Sequence, residues 1–363
     1  MRIVNVVGAR PNFMKIAPLM AAYAERGGIE ALLVHTGQHY DEQMSELFFR
    51  QLGIAAADIN LGVGSGSHAA QTAAIMAAFE PVVLDTKPDA VLVVGDVNST
   101  IACGLVAAKL QIKLIHVEAG LRSFDRSMPE EINRVLTDAI SDLLFCTEQS
   151  GVDNLRREGI GADKVFLVGN VMIDTLLSNR DKAESSGVLD DLDLSVGDYA
   201  VLTLHRPSNV DDPAAFGRIL DALDVIQRDM PIVFPVHPRT RKTLSQLFLI
   251  ERIEAMPNLR LLAPIGYLDF LKLISSAKLA LTDSGGIQEE TTILKVPCLT
   301  LRENTERPIT VQIGSNQIVG TDTGRIVSAY QQIVSGKWRQ CGTPPLWDGH
   351  AAERIVQILT EKI

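Results

Sequence analysis

The chain alternates. Short runs rich in Val, Ile and Leu ("IVNVV", "ALLVHT", "AVLVVGD", "KLIHVEAG", "LLFCTE", "KVFLVG") are interleaved with longer stretches whose apolar residues recur at helical spacing ("FMKIAPLMAAYAERG", "AAQTAAIMAAFEPVVLDT", "STIACGLVAAKLQ", "EEINRVLTDAISD"). A strand that is apolar without a period of two is buried on both faces, which happens when helices cover both sides of a parallel sheet. The pattern breaks once, at the polar, acidic "SNRDKAESSGVLDDLDLSVGD", which reads as a linker. A second round follows: "YAVLTLH", "PIVFPVH", "LRLLAP", "KLALTD", "PCLTL" and "NQIVG". The expected class is α/β, with two Rossmann-like parallel-sheet domains facing a cleft. The first spans residues 1–172 and the second 173–350, and the last helical pattern, residues 351–363, can pack back on the first domain.

In open parallel sheets, ligands bind beyond the carboxyl ends of the strands. The strand tips therefore carry the functional reading. "VVGARPNFMK" puts Arg10 and Lys15 at and just after a glycine turn that opens a helix. They are either solvated cations or contacts for an anion at the helix start. The turn is neither GxGxxG nor GxxxxGK[ST], so neither a nicotinamide site nor a P-loop is indicated. Asp96 ends "VVGD", as a helix cap or as an acid/base group, and Glu118 holds the matching place in "HVEAG". "MPEEINR" adds Glu130 and Glu131 in the first turn of a helix. The helix dipole accounts for one acid of that pair but not for acids on neighbouring tips. Acids converging on one spot raise one another's pKa, which suits proton transfer.

In the second round, His205 and Arg206 end the first strand, and His237 and Arg239 hold a similar place in "FPVHPRT". "LTDSGGIQEE" is the sharpest feature: a strand ends at Asp283, and Ser284, Gly285 and Gly286 turn directly into a helix. Free N–H groups and the dipole make that an anion seat, and the glycines let a diphosphate approach closely. Glu289 and Glu290 lie one turn in, where a carboxylate suits the paired hydroxyls of a ribose, and "RENTERP" supplies Arg302 and Arg307.

Composition sets limits. With 363 residues, a net charge of −10 and a pI near 5.2, the chain is acidic, which argues against a nucleic-acid surface. No apolar run reaches the roughly 18 residues that a membrane helix needs. Cys103, Cys146, Cys298 and Cys341 form no CxxC pair, which excludes the usual zinc and redox spacings and fits a reducing cytosol. His35 and His39 flank a glycine in "HTGQH" and read as loop residues, so no metal is expected. No GxSxG elbow is present.

Taken together, "GARPNFMKIAP", "HTGQH", "GDVNST", "HVEAGLRS", "PEEINR", "TDSGGIQEE" and "TERP" resemble the non-hydrolysing UDP-N-acetylglucosamine 2-epimerases, in order and over nearly the whole chain. The resemblance implies the GT-B-like fold, with UDP held mainly by the second domain. It implies a cytoplasmic isomerase, usually a homodimer, that interconverts UDP-GlcNAc and UDP-ManNAc with no cofactor and no metal. UDP is eliminated to leave 2-acetamidoglucal and is then added back. By the same resemblance, Arg10 and Lys15 contact the phosphates, and Asp96, Glu118 and Glu130 are the catalytic carboxylates, with Lys15 beside them. His205 is the functional histidine. Ser284, Gly285 and Gly286 seat the diphosphate, Glu290 holds the ribose, Arg307 binds phosphate or sugar, and Phe270 lines the uridine pocket. Glu131 is left to serve its helix.

The chain departs from many bacterial relatives at His205-Arg206-Pro207-Ser208-Asn209, where they read HRREN, and at "FPVHPRT". The "HTGQH" loop keeps Gln38 but continues Tyr40-Asp41, and the changes in this loop and in "FPVHPRT" argue against activation by a second UDP-GlcNAc. "TGQHYDEQMSELFF" resembles the loop of a subgroup acting on UDP-2,3-diacetamido-2,3-dideoxyglucuronate. Competing readings are that substrate, a hydrolysing cousin, a GT-B glycosyltransferase and a silent nucleotide-sugar sensor.

Overall fold

The computed structural model describes residues 1–37, 53, 56–236, 240, 241, 243, 244 and 249–363, with the side chain of Arg10 outside the described set. His39, His237 and Arg239 also fall outside it.

Strands β1 (Arg2–Val7), β2 (Glu30–His35), β3 (Ile59–Asn60), β4 (Ala90–Val94), β5 (Lys113–Val117), β6 (Leu143–Cys146) and β7 (Val165–Leu167) form the first sheet. Strands β8 (Ala200–Thr203), β9 (Ile232–Pro235), β10 (Leu259–Leu262), β11 (Leu279–Thr282), β12 (Cys298–Thr300) and β13 (Asn316–Ile318) form the second. Between the strands of the first sheet run α1 (Arg10–Arg26), α2 (His68–Thr86), α3 (Asn98–Lys109), α4 (Pro129–Ile140) and α5 (Gln149–Arg157). Helices α6 (Val171–Glu184) and α7 (Val188–Asp191) follow. The second sheet brings α8 (Pro207–Val210), α9 (Pro213–Ile226), α10 (Ile250–Glu254), α11 (Tyr267–Ser275), α12 (Gly285–Leu294), α13 (Pro308–Gln312) and α14 (Thr323–Val334), and α15 (Ala351–Lys362) closes the chain.

Among the described residues the first sheet has the order β3-β2-β1-β4-β5-β6-β7 and the second β10-β9-β8-β11-β12-β13. Every described pairing is parallel. Both sheets match the α/β class expected from the double-faced apolar strands. In each, the strand order reverses once, between β1 and β4 and between β8 and β11. A ligand crevice belongs at such a switch point, outside the carboxyl ends of the strands.

The chain divides into two compact units, residues 1–178 with 345–363 and residues 179–344. In the first, Val4, Val6, Val91 and Val93 pack under Phe79, Ile75, Cys103 and Val106 of α2 and α3. In the second, Leu202, Phe234 and Leu281 pack under Phe216, Ile219 and Leu223 of α9. Each such buried aliphatic or aromatic side chain contributes about 1.5–3 kcal/mol.

The stretch expected to be a linker is largely structured. Helix α6 runs on to Glu184, and α7 buries Val188 and Leu189 against Tyr199 and Val201. Its polar and charged residues present no apolar stripe, so periodicity missed them. The terminal segment belongs to the first unit. Asp174 accepts from the N–H groups of Ala351 (3.2 Å) and Ala352 (2.7 Å) at the start of α15, and the Trp347 indole donates to the Thr147 carbonyl (2.9 Å). No described helix is long and apolar enough to cross a membrane.

Candidate active site

At the first switch point, Asn12 ties two strand tips together. Its Oδ1 accepts from the N–H groups of Gly8 (3.1 Å) and Ala9 (3.0 Å), and its Nδ2 donates to the Val94 carbonyl (3.1 Å). One turn on, Lys15 reaches past Gly95 to Glu118, with Nζ 2.5 Å from Oε2. Both side chains are buried. A Cβ on Gly95 would lie 2.8 Å from that Nζ, and Gly95 has φ +67°, so both space and backbone call for glycine there. Glu118 itself has φ +76°. A non-glycine residue rarely sits in that region, and strain of this kind clusters at functional sites.

Asp96, one strand over, is one-fifth exposed and meets the Arg134 guanidinium through Nε (3.0 Å) and Nη2 (2.7 Å). Arg134 Nη1 also lies 2.5 Å from Glu131. The two acids at the tips of neighbouring strands are thus each in contact with a cation, an arrangement that offsets the repulsion expected of nearby acids. Glu130 is half-buried in the first turn of α4. Glu131 lies in the first turn of the helix, as expected, and also does more. It is buried and accepts from Ser123 N–H (2.9 Å), Ser123 Oγ (3.0 Å) and Phe124 N–H (2.9 Å), clamping the loop before α4.

Beneath these tips is a charged layer that the sequence reading missed. His116 is fully buried, with Nδ1 2.6 Å from Asp138 Oδ1 and Nε2 2.9 Å from the Gly95 carbonyl. Asp138 Oδ2 accepts from Gly120 N–H (3.0 Å) and pairs with Arg122 (2.7 Å). Burial alone would raise the Asp138 carboxyl, but His116 and then Arg122 outweigh it and hold it below the usual range. The layer fixes Gly95, next to Asp96, and Gly120, two residues after Glu118, at once. Its one sequence signal is spacing: Glu130, Arg134 and Asp138 recur every four residues, one face of α4.

The second unit builds a separate constellation at its own switch point. His205 follows β8 and Asp283 follows β11, and Nδ1 of the ring lies 2.8 Å from Asp283 Oδ1. Ser284 occupies the N-cap position of α12 without a side-chain cap bond, and Gly285 and Gly286 form its first turn. A Cβ on Gly285 would meet Arg307 Nη1 at 2.6 Å, so this glycine admits the guanidinium to the helix start. Arg307 is held by Glu289 (Nε, 2.5 Å) and Glu306 (Nη1, 2.7 Å), and Arg302 also pairs with Glu306 (2.9 Å). Glu290 is buried, with the Tyr267 hydroxyl 3.4 Å away. Burial, and then the neighbouring Glu289, push its carboxyl up to about 8. Ser284, Gly285, Gly286, Glu290 and Arg307 therefore lie on α12 or directly beside it. Phe270 is half-buried and packs against the small core that includes Leu189, Tyr199 and Leu273. No group of three or more potential metal ligands is found among the described residues.

Comparison with known proteins follows this geometry. A family model described as UDP-N-acetylglucosamine 2-epimerase matches residues 21–360. The UDP-N-acetylglucosamine 2-epimerase of Methanocaldococcus jannaschii is 44% identical over 99% of this chain and 99% of its own. The UDP-2,3-diacetamido-2,3-dideoxy-D-glucuronate 2-epimerase of Pseudomonas aeruginosa is 41% identical over 99% of this chain and 100% of its own. The crystal structure of the M. jannaschii UDP-GlcNAc 2-epimerase in complex with UDP-GlcNAc and UDP superposes with a TM-score of 0.92, covering 99% of this chain and 100% of that one at 44% identity.

Proposed function

The chain belongs to the UDP-N-acetylglucosamine 2-epimerase family, and from that premise we propose that it interconverts UDP-GlcNAc and UDP-ManNAc. It is an isomerase that inverts the configuration at C2. The observation that carries the reading is the pair of tip carboxylates, Asp96 and Glu118, each set against a buried cation at one switch point.

The chemistry explains the residue types. C2 of the sugar is not next to a carbonyl, so its proton is weakly acidic. If the C1–O bond to the β-phosphate breaks as H2 leaves, the C2–H electrons become the C1=C2 double bond of 2-acetamidoglucal, and the C1–O electrons depart with UDP. Reprotonation at the other face of C2 and return of the phosphate oxygen to C1 complete the inversion. In this scheme Asp96, Glu118 and Glu130 take and return the proton and support positive charge at C1, each worth roughly 10²–10⁴ in rate. Lys15 keeps Glu118 in place, and Arg10 contributes charge for the phosphates. The N-terminus of α12 with Ser284, Gly285, Gly286 and Arg307 stabilises the departing diphosphate, with His205 beside it. Glu290 holds the ribose, and Phe270 borders the uracil. No step calls for a nicotinamide or a metal.

The 41% relative supports a second substrate, the diacetamido-glucuronate. We place the enzyme in the cytoplasm as a homodimer. Four free thiols fit that compartment. Exposed Leu84, Val135 and Leu136 on α2 and α4, the two helices packed against α3, offer apolar surface for a second copy. Incubation with UDP-GlcNAc, without metal or NAD, followed by anion-exchange separation tests the reading. A mixture of UDP-GlcNAc and UDP-ManNAc is expected. Free ManNAc with UDP, or conversion of the diacetamido sugar alone, would replace it.

A further inference from the structure

The carboxylate of Asp283 is fully buried and accepts from every side. Both of its oxygens lie 3.1 Å from the N–H of His205, and Oδ2 also accepts from Arg206 N–H (2.9 Å) and Asn209 Nδ2 (3.2 Å). Oδ1 lies 2.8 Å from His205 Nδ1. These contacts fold residues 205–209 onto the tip of β11, and the backbone bonds alone would do so. The imidazole contact is different in kind, because the His205 side chain is 51% exposed and half of it lies in solvent. Among the described residues, the bond to Asp283 is the polar contact that orients this half-exposed ring. Burial alone would raise the Asp283 carboxyl, but the His205 ring and the N–H groups of Arg206 and His205 outweigh it and hold it below the usual carboxylate range. An ionised carboxylate accepts only, so Nδ1 carries the hydrogen and Nε2 is the nitrogen turned outward. Asp283 is also the residue directly before Ser284, which holds the N-cap position of α12.

We propose that Asp283 is a positioning residue for the epimerisation: it fixes the tautomer and direction of His205 so that Nε2, an acceptor in this tautomer, is offered to a hydroxyl of the nucleotide sugar bound beside α12. The role needs no contact between Asp283 and substrate, as in other carboxylate–histidine pairs where loss of the acid leaves the ring in the wrong tautomer. It rests on the reading of the second unit as the UDP-binding part, so one arm of the test is independent of turnover.

That arm is the two-bond ¹⁵N–¹H spectrum of His205 in the free, full-length protein. The wild type should show the Nδ1–H tautomer, and Asp283→Asn, whose amide donates to Nδ1, should show Nε2–H. In turnover of UDP-GlcNAc, D283N should lower kcat on the order of 10²–10⁴-fold while KM moves less than about threefold. Asn209→Ala removes the amide's bonds to Asp283 and to the Leu301 carbonyl without touching the ring. It should lower the melting temperature and leave both the tautomer and kcat alone. An Nε2–H tautomer in the wild type would overturn the assignment even if D283N failed to fold. A folded D283N with wild-type kcat would overturn it too. A wild type that never turns over UDP-GlcNAc would count against the functional reading and leave the tautomer result standing.

Discussion

Lys15 Nζ and Glu118 Oε2 lie 2.5 Å apart with both side chains buried. A buried pair of this kind is expensive to break from one side, because the remaining charge has no water to fall back on. Lys15→Met is expected to cost about 3–5 kcal/mol of unfolding free energy. Lys15→Met combined with Glu118→Gln should recover part of that, since the orphaned charge is gone. Urea unfolding of the four proteins of the cycle measures it, and strict additivity of the two losses would show that the pair is not coupled.

The acids should separate by their jobs. Asp96→Asn, Glu118→Gln and Glu130→Gln are each expected to lower kcat roughly 10²–10⁴-fold. UDP affinity, read by calorimetry, should stay near wild type, because the proposed diphosphate seat lies on α12. A large loss of UDP binding in any of the three would assign that carboxylate to the nucleotide instead.

Glu131→Gln should behave as a structural variant. Its carboxylate accepts from Ser123 and Phe124 and pairs with Arg134. An amide cannot satisfy all three, so a loss of about 1–3 kcal/mol is expected, with faster hydrogen exchange at residues 123–124. Unchanged exchange there would remove the clamp.

Glu290 gives a pH signature. Its carboxyl is pushed from 4.5 up to about 8 in the folded chain. Between those values the folded protein holds a proton that the unfolded chain has released. Stability therefore falls as pH rises through this window and levels off above about 8. Glu290→Gln carries no such proton, so its stability relative to wild type should rise between about pH 5 and about pH 9. A difference that stays constant with pH would contradict the buried neutral acid.

Much of this was legible in the sequence. Double-faced apolar runs such as "AVLVV" announce buried parallel strands, and polar residues at their ends announce a site. Asp96, Glu118, His205 and Ser284 all stand where that rule puts them. Residues 179–184 were not legible as helix, because a polar helix shows no period. Partnership was not legible either. His205 and Asp283 are 78 residues apart and meet because β8 lies next to β11, an order set by the crossover and not by local pattern. Asp138 looks like an ordinary helical acid until Arg122 and His116 close on it. Cations found this way explain how so many carboxylates crowd one sheet edge.

The central claim is that H2 leaves and returns while UDP is off the sugar. Proton NMR of UDP-GlcNAc with the enzyme in D₂O, without metal or NAD, tests it most directly. The account predicts UDP-ManNAc carrying deuterium at C2. UDP-ManNAc that keeps its original hydrogen at C2, or no UDP-ManNAc at all, would contradict it.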